Sequence, residues 1–306
     1  MKARSPFALG FLVLLCAAAT SSFAGEGKTY KIDMQDRWKA GDVVTKTSKD
    51  VESNHVTVKG PDGAVVQEKN TTTTITAELI EKAVEVDEKD RISKGLLYVV
   101  RCEIDAEGAK DESLSGAQFE FSGVGKLRSW KLLTPGKELT DPAKEWLDKE
   151  YGNKKSNADE TMAKALEPKK EIEVGESWVP DVAEITKGLG DQFKVDMEKS
   201  TAKATLNGVE GSMGDFTFDI SLQTLSVSSP AGEMKWKDGG MMTMKMAMKH
   251  SLEANDPTMV GKLTFGMKGN AEVQGMTVAL DVSGTKDGET KKGGEIPALP
   301  AEGAGK

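Results

Sequence analysis

Apolar and polar residues alternate one for one along most of this chain, which is the pattern of half-buried antiparallel strands. Leu96, Tyr98, Val100, Cys102 and Ile104 fall on one parity, with Arg101 and Glu103 on the other. Phe119 and Phe121 alternate with Gln118 and Glu120. The same rule holds for Phe216, Phe218, Ile220 and Leu222, for Leu263, Phe265 and Met267, and for Met276, Val278, Leu280 and Val282. Gly60-Pro61-Asp62-Gly63 predicts a hairpin joining the Val56/Val58 strand to a Thr-rich strand through Ile75, Ala77 and Leu79. Asn207-Gly208, Asp238-Gly239-Gly240, Asn255-Asp256-Pro257 and Gly269-Asn270 mark further breaks, and their spacing predicts a meander.

The middle of the chain loses this period. Asp141 predicts a helix cap with Pro142 in first position, and the helix runs through Trp146, Leu147 and Tyr151 to Gly152. A second helix, from Ser156 or Asn157, carries Met162 and Leu166 four apart and stops before Pro168. Asp181 with Glu184 resembles a capping box for a third helix ending near Gly188 or Gly190. The fold class expected is mainly β, an antiparallel curved sheet or half-barrel with a small helical insertion at 141–190. That domain covers 25–292 and is followed by a Gly-, Ala- and Pro-rich tail, 293–306, expected to be disordered. Because large all-β folds reach this length, one domain is favoured over two lobes.

The N-terminus reads as an address. Lys2 and Arg4 precede an apolar run from Phe7 to Ala19, and Ser22-Phe23-Ala24 supplies small residues for a signal peptidase. Residues 1–24 are therefore expected to be a signal peptide cleaved after Ala24, with an exported product in the periplasm or outside the cell. A lipoprotein reading through Cys16 conflicts with the bulky Leu15. The whole chain carries a formal charge of -8. That balance argues against a nucleic-acid partner, which needs clustered Lys and Arg. No interior stretch is long and apolar enough for a transmembrane segment. Cleavage would leave Cys102 alone, so an internal disulfide is ruled out and stability rests on the core.

The segment Pro168-Lys169-Lys170-Glu171-Ile172-Glu173-Val174-Gly175-Glu176-Ser177-Trp178, with Trp38-Lys39-Ala40-Gly41-Asp42 near the start, resembles a family of exported bacterial β-rich proteins of unknown function. The family resemblance implies no catalytic residues and no cofactor. The expected half-barrel with helices across its opening is similar, at the level of fold alone, to lipoprotein and lipid carriers.

Catalytic patterns are sparse. There is no Gly-x-Ser-x-Gly elbow, and only His55 and His250 offer an imidazole. Ser200-Thr201-Ala202-Lys203 matches Ser-x-x-Lys, yet it lies in an expected strand with no later Lys-Thr-Gly. The acidic stretch Asp105 to Glu112 lacks calcium-loop spacing. Cys102 shares parity with apolar neighbours and is expected to be a core thiol. A non-enzymatic protein is the expectation.

The distinctive feature is Met241-Met242-Thr243-Met244-Lys245-Met246-Ala247-Met248-Lys249-His250. On a strand, Met242, Met244, Met246, Met248 and His250 project from one face. Met234 and Trp236 alternate with lysines just upstream and are expected to form the hairpin partner across Asp238-Gly239-Gly240. Three readings compete: the methionines fill the core; with Met234 and Trp236 they line a cavity for an apolar, lipid-like small molecule; or Met242, Met244, Met246, Met248 and His250 bind copper(I) as soft ligands. A ligand-binding envelope protein is the leading expectation, with a copper binder and a structural or interaction surface protein as alternatives.

Overall fold

The computed structural model of the chain describes residues 27–35, 37–123, 129–151, 158–190, 192–229, 232–253, 256–273 and 275–299. The expected signal segment, Cys16, Gly152 and the start of the second helix lie outside the described residues. In order the chain forms β1 (Thr29–Tyr30), β2 (Val43–Lys59), β3 (Val65–Val86), β4 (Ile92–Ala106), β5 (Ala109–Asp111), β6 (Gln118–Ser122) and β7 (Ser129–Leu132). Then come α1 (Asp141–Tyr151), α2 (Ala158–Leu166), β8 (Ile172–Glu173), β9 (Ser177–Trp178) and α3 (Val182–Leu189). The last part is β10 (Phe193–Glu210), β11 (Met213–Ser229), β12 (Gly232–Ser251), β13 (Met259–Val273) and β14 (Met276–Lys292). As the alternation predicts, the protein is mainly β: twelve strands form one curved antiparallel sheet that does not close into a barrel.

The strand order is β7-β6-β4-β3-β2-β14-β13-β12-β11-β10-β9, with β5 beside β4. One meander therefore runs outward from β2 to an edge at β7. The chain then crosses through the helices to the other edge at β9, and a second meander returns to pair β14 with β2 along Val44–Lys59. Both edges end in very short strands, which limits edge-to-edge pairing. The β2–β3 hairpin turns at Gly60–Gly63 as expected, with Gly63 N–H donating to Gly60 O at 2.9 Å and Gly63 at φ 80°.

One face of the sheet carries two separate apolar clusters. The first gathers Val44, Ala77, Leu97, Val99, Cys102, Phe119 and Phe121 beneath Trp146, Leu147 and Tyr151 of α1. The second packs Leu206, Phe216, Phe218, Ile220 and Leu222 against Leu166 of α2 and Ile185 of α3. Ile32 and Met34 belong to the second cluster and Trp38 to the first, so the N-terminal segment ties the two together. Between them the same face is polar: β2 and β14 present Ser48, Asp50 and Glu52 beside Gly288, Lys286 and Gly284.

Several expectations are corrected, beginning with the breaks at Asn207-Gly208 and Gly269-Asn270, which lie inside β10 and β13. Tyr98 and Val100 do not share a face with Cys102. A bulge skips Val100, because Glu78 pairs Arg101 and Leu79 pairs Val99, so the buried set becomes Leu97, Val99, Cys102 and Ile104. Helix α1 is capped by Thr140, whose Oγ1 accepts from Ala143 N–H at 3.3 Å, one residue before Asp141. In α3, Asp181 caps the N–H groups of Ala183 and Glu184, but Glu184 pairs with Lys187 instead of returning to the cap. In the tail, Gly293 N–H donates to Val43 O at 2.7 Å and Gln118 Nε2 to Pro297 O at 2.6 Å. Residues 300–306 lie outside the described part.

Two outcomes follow from the polar seam and the first cluster. Asp50 meets Lys286 at 3.1 Å, yet its Oδ1 is buried without a partner among the described residues. Burial raises its pKa; Lys286 opposes this, Glu150 of α1 adds to it, and Lys149 opposes. A raised folded pKa means the ionised form costs stability, a cost that is absent below the unfolded pKa and grows as pH rises through the folded one. Asp50→Asn should therefore raise Tm at pH 7 by about 2 °C and lose that advantage near pH 3, as read by calorimetry. Burial, with Asp111 adding to it, pushes the Cys102 thiol up to about 12. In the chain freed of residues 1–24, Cys102 should resist a chromogenic disulfide reagent at pH 8 until denaturant is added.

Candidate functional site

The Met-rich strand is β12, and it is continuous. Asp238-Gly239-Gly240 is not a hairpin turn: Lys235 pairs Ser226 and Gly240 pairs Thr224 on the same neighbour β11, with a register shift between. The three residues form a bulge, so Met234 and Trp236 extend the Met strand instead of facing it. Trp236 is 6% exposed and pairs Ala271 of β13. Its ring fills the space above two glycines. A Cβ on Gly269 would lie 2.6 Å from Trp236 Cε3, and one on Gly240 would lie 2.7 Å from Trp236 Cε2. Trp236 Nε1 and Thr224 Oγ1 are both buried beside Gly240 without a hydrogen-bond partner among the described residues. Met234, opposite Val227, is half-buried.

Along the rest of β12 the stripe occupies one face as the period-2 reading requires. On the β11 side Met242, Met244, Met246 and Met248 stand opposite Leu222, Ile220, Phe218 and Phe216, each of which is buried. Trp178 meets Phe216 and Phe218 edge-on at 6.4 and 5.9 Å, and its Nε1 is tied to Leu166 O at 2.8 Å. This side is packed core. On the β13 side the partners are Met267, Phe265, Leu263 and Gly261. Met242 and Met248 are buried at 9% exposure, whereas Met244 and Met246 are half-buried, as are Leu263, Phe265 and Met267. Phe265 lies across Gly284 of β14, where a Cβ would come within 2.5 Å of its ring, and half-buried Val282 pairs Met267.

The stripe is thus a boundary. Its β11 flank belongs to the second cluster under α2 and α3, and its β13 flank opens onto a strip between the two helix-covered ends of the sheet. Met244, Met246, Leu263, Phe265, Met267 and Val282 occupy adjoining register positions on that strip. Direct cross-strand neighbours on one face stand about 5 Å apart at Cβ, so the six form one contiguous apolar surface.

Hollow space lies on the opposite face. A cavity of about 700 Å³ is bordered by Lys49, Glu78 and Arg101 on one side and by Ala247, Lys262 and Asp287 on the other. Arg101 sits on β4 and Ala247 on β12, five strand spacings away, or about 24 Å on a flat sheet. Residues that far apart border one cavity only because the sheet bends toward its polar face. Its charges, Lys49, Arg101 and Lys262 against Glu78, Asp287 and Glu289, balance, so it selects neither sign of ligand. A smaller cavity of about 390 Å³ on the same face touches Met246, which is the stripe's single contact with either space. The stripe is half core and half open surface, and it borders no part of the larger cavity.

The remaining candidates fall on both faces of the sheet. His250 is 7% exposed on the stripe's face, while His55 sits on the polar face with Thr57 Oγ1 3.0 Å from its Nε2. Ser200 of the Ser-x-x-Lys match donates to Asp196 O at 2.7 Å and accepts from Gln223 N–H at 3.0 Å, which staples the bulge in β10. Among the described residues no three His, Cys, Asp or Glu side chains group around a common point. No described helix is long and apolar enough to cross a membrane.

No family model matches the sequence, and no curated protein matches it. Among solved structures, a mutant porin of Rh. blastica is 8% identical with a TM-score of 0.19, over 80% of this chain and 99% of the porin. The P. putida toluene transporter TodX is 6% identical with a TM-score of 0.15, over 83% of this chain and 91% of the transporter. Similarity at this level transfers neither fold nor function.

The Trp236 arrangement yields a direct check. Gly269→Ala places a methyl group against the indole, so unfolding should require about 1–3 kcal/mol less free energy in urea titration. An alanine at exposed Gly275 has no atom within 4 Å, but its φ of 78° makes that variant a measure of backbone strain alone.

Proposed function

We propose that this is a non-enzymatic exported envelope protein that binds an apolar, lipid-like ligand along the strip formed by Met244, Met246, Leu263, Phe265, Met267 and Val282. The observation that carries this reading is the partial exposure of six adjoining large apolar side chains on a sheet face whose two apolar clusters lie under helices. A protein that gained nothing from an open apolar surface would place polar residues there, as β2 does with Asp50 and Glu52. The strip is two to three strands wide, on the order of 10–14 Å, which suits a single extended acyl chain. Unbranched, polarizable methionines adapt to chains of differing length and unsaturation. Export rests on the N-terminal pattern of Lys2, Arg4 and the apolar run to Ala19.

The expected ligand geometry is an open strip in place of an enclosed Met-lined cavity, because the two cavities described above lie on the polar face. Fluorescent fatty-acid titration is the test, together with native mass spectrometry of protein purified from the envelope. Uptake of one or two chains is expected, with Met246→Lys weakening it by at least about tenfold, which corresponds to losing one apolar contact of about 1.5–3 kcal/mol. A clean apo mass with no uptake of the probe overturns the ligand reading and leaves an exported scaffold.

A further inference from the structure

We propose a soft-metal site at the end of the β12–β13 hairpin, in which His250 Nε2 and the thioethers of Met248 and Met259 bind a monovalent d10 cation, copper(I). This site is independent of the apolar strip and uses none of its side chains. Copper(I) coordination by the whole stripe, as read from sequence, fails on distance. Met242 and His250 are eight residues apart on one strand, on the order of 26 Å, so those five side chains cannot converge on one ion. The register selects a smaller set and adds a residue from the neighbouring strand.

Met259 stands directly opposite His250 across β12–β13, and Met248 is the next residue on the same face of β12. The turn that joins the strands is held by Ser251 N–H donating to Thr258 O at 3.0 Å and by Asp256 Oδ1 accepting from Thr258 Oγ1 at 2.6 Å. Those bonds fix Met259 beside His250. A glycine faces each β12 member of the set on one side, Gly261 of β13 opposite Met248 and Gly214 of β11 opposite His250, while Phe216 lies opposite Met248 and covers Gly214. A Cβ at Gly261 would fall 2.8 Å from Met248 Cβ, so the position opposite Met248 is kept free of a side chain.

The tautomer of His250 is also set. Its Nδ1 lies 2.6 Å from Ser251 O. A carbonyl oxygen can only accept, so Nδ1 carries a proton, and in the neutral ring the lone pair is on Nε2. Orientation of one ring nitrogen by a backbone carbonyl is the usual arrangement of a metal-binding imidazole. The His250 side chain is almost fully buried. One imidazole and two thioethers form a soft set that favours copper(I) over calcium, which takes oxygen ligands, and over zinc, which takes imidazole, thiolate or carboxylate but not thioether ligands. Half-buried Met259 leaves an entry path.

The test is an anaerobic titration of the full chain with copper(I) against bicinchoninate, a chromophoric chelator. One copper(I) per chain is expected. Met248→Leu and Met259→Leu, which conserve side-chain volume, should each weaken binding by at least about tenfold, while Met244→Leu stays within about twofold of the parent. X-ray absorption should give one nitrogen and two sulfur neighbours. Failure to retain copper(I) against the chelator overturns the site, as does equal weakening by all three variants or no effect of Met259→Leu. Thermal melting of each variant without metal separates a lost ligand from a damaged fold. A variant whose Tm matches the parent but whose affinity falls supports the assignment, and one whose affinity loss tracks its Tm loss opposes it.

Discussion

The pairing of β14 with β2 joins the first strand of one meander to the last strand of the other, and the rest of the architecture depends on it. Without it each meander would be a separate sheet with a long open edge in water. The pairing runs from Lys59 opposite Thr277 to Val44 opposite Lys292, between segments more than two hundred residues apart in sequence. Such contacts carry a large loop-closure cost and form late, so both meanders must hold their own shape first. Each does so with its own apolar cluster and its own helical cover. The polar face of the seam explains why there are two clusters: Asp50 and Lys286 meet where a continuous core would otherwise run.

Aromatic rings laid on glycines repeat across the sheet. Phe121 covers Gly95, Phe216 covers Gly214, Trp236 covers Gly240 and Gly269, and Phe265 covers Gly284. A strand glycine gives up side-chain packing and backbone entropy, and a neighbouring ring that closes over the bare backbone recovers apolar burial. The device also locks registration, since a shift of one residue brings a Cβ into the ring. The strands most in need of it are β12 to β14, where few residues are fully buried and packing alone specifies the register weakly.

Much of this fold was legible in single segments, and what escaped was whatever depends on a neighbour. Phe216 to Leu222 alternate without interruption, and all four side chains are buried as the period requires. Val100 breaks the same rule because one extra residue in β4 flips the face, and nothing in Leu96 to Ile104 marks where the bulge falls. Asp238-Gly239-Gly240 has the composition of a tight turn, yet it is a bulge, since Lys235 and Gly240 both find partners on β11. The glycines serve the approach of Trp236 instead. Met259 went unnoticed beside His250 because cross-strand proximity depends on register, which periodicity does not contain. The signal Asn255-Asp256-Pro257 marks the turn but not the register, since counting outward from Asp256 would set His250 opposite Lys262.

Strict alternation makes the two faces of β12 to β14 interdependent. Met246 belongs to the apolar strip and Ala247 to the polar trough; Leu263 and Lys262 divide in the same way, and so do Lys286 and Asp287 across the seam. A slip of one residue in any of these strands would send thioethers into the trough and charges onto the strip, so the surfaces cannot be altered independently by shifting a strand. Substitution in place can alter one alone. The long stretch of methionine suits this constraint: an unbranched side chain can pack against Phe216 and Phe218 at one position and lie half-open beside Leu263 at the next, without a change of backbone. A β-branched residue, stiff at χ1, would be matched to one of those surroundings and poorly fitted to the other. The departure from the usual Val and Ile of a sheet interior thus follows from placing the edge of a packed core and an exposed apolar surface on the same strand.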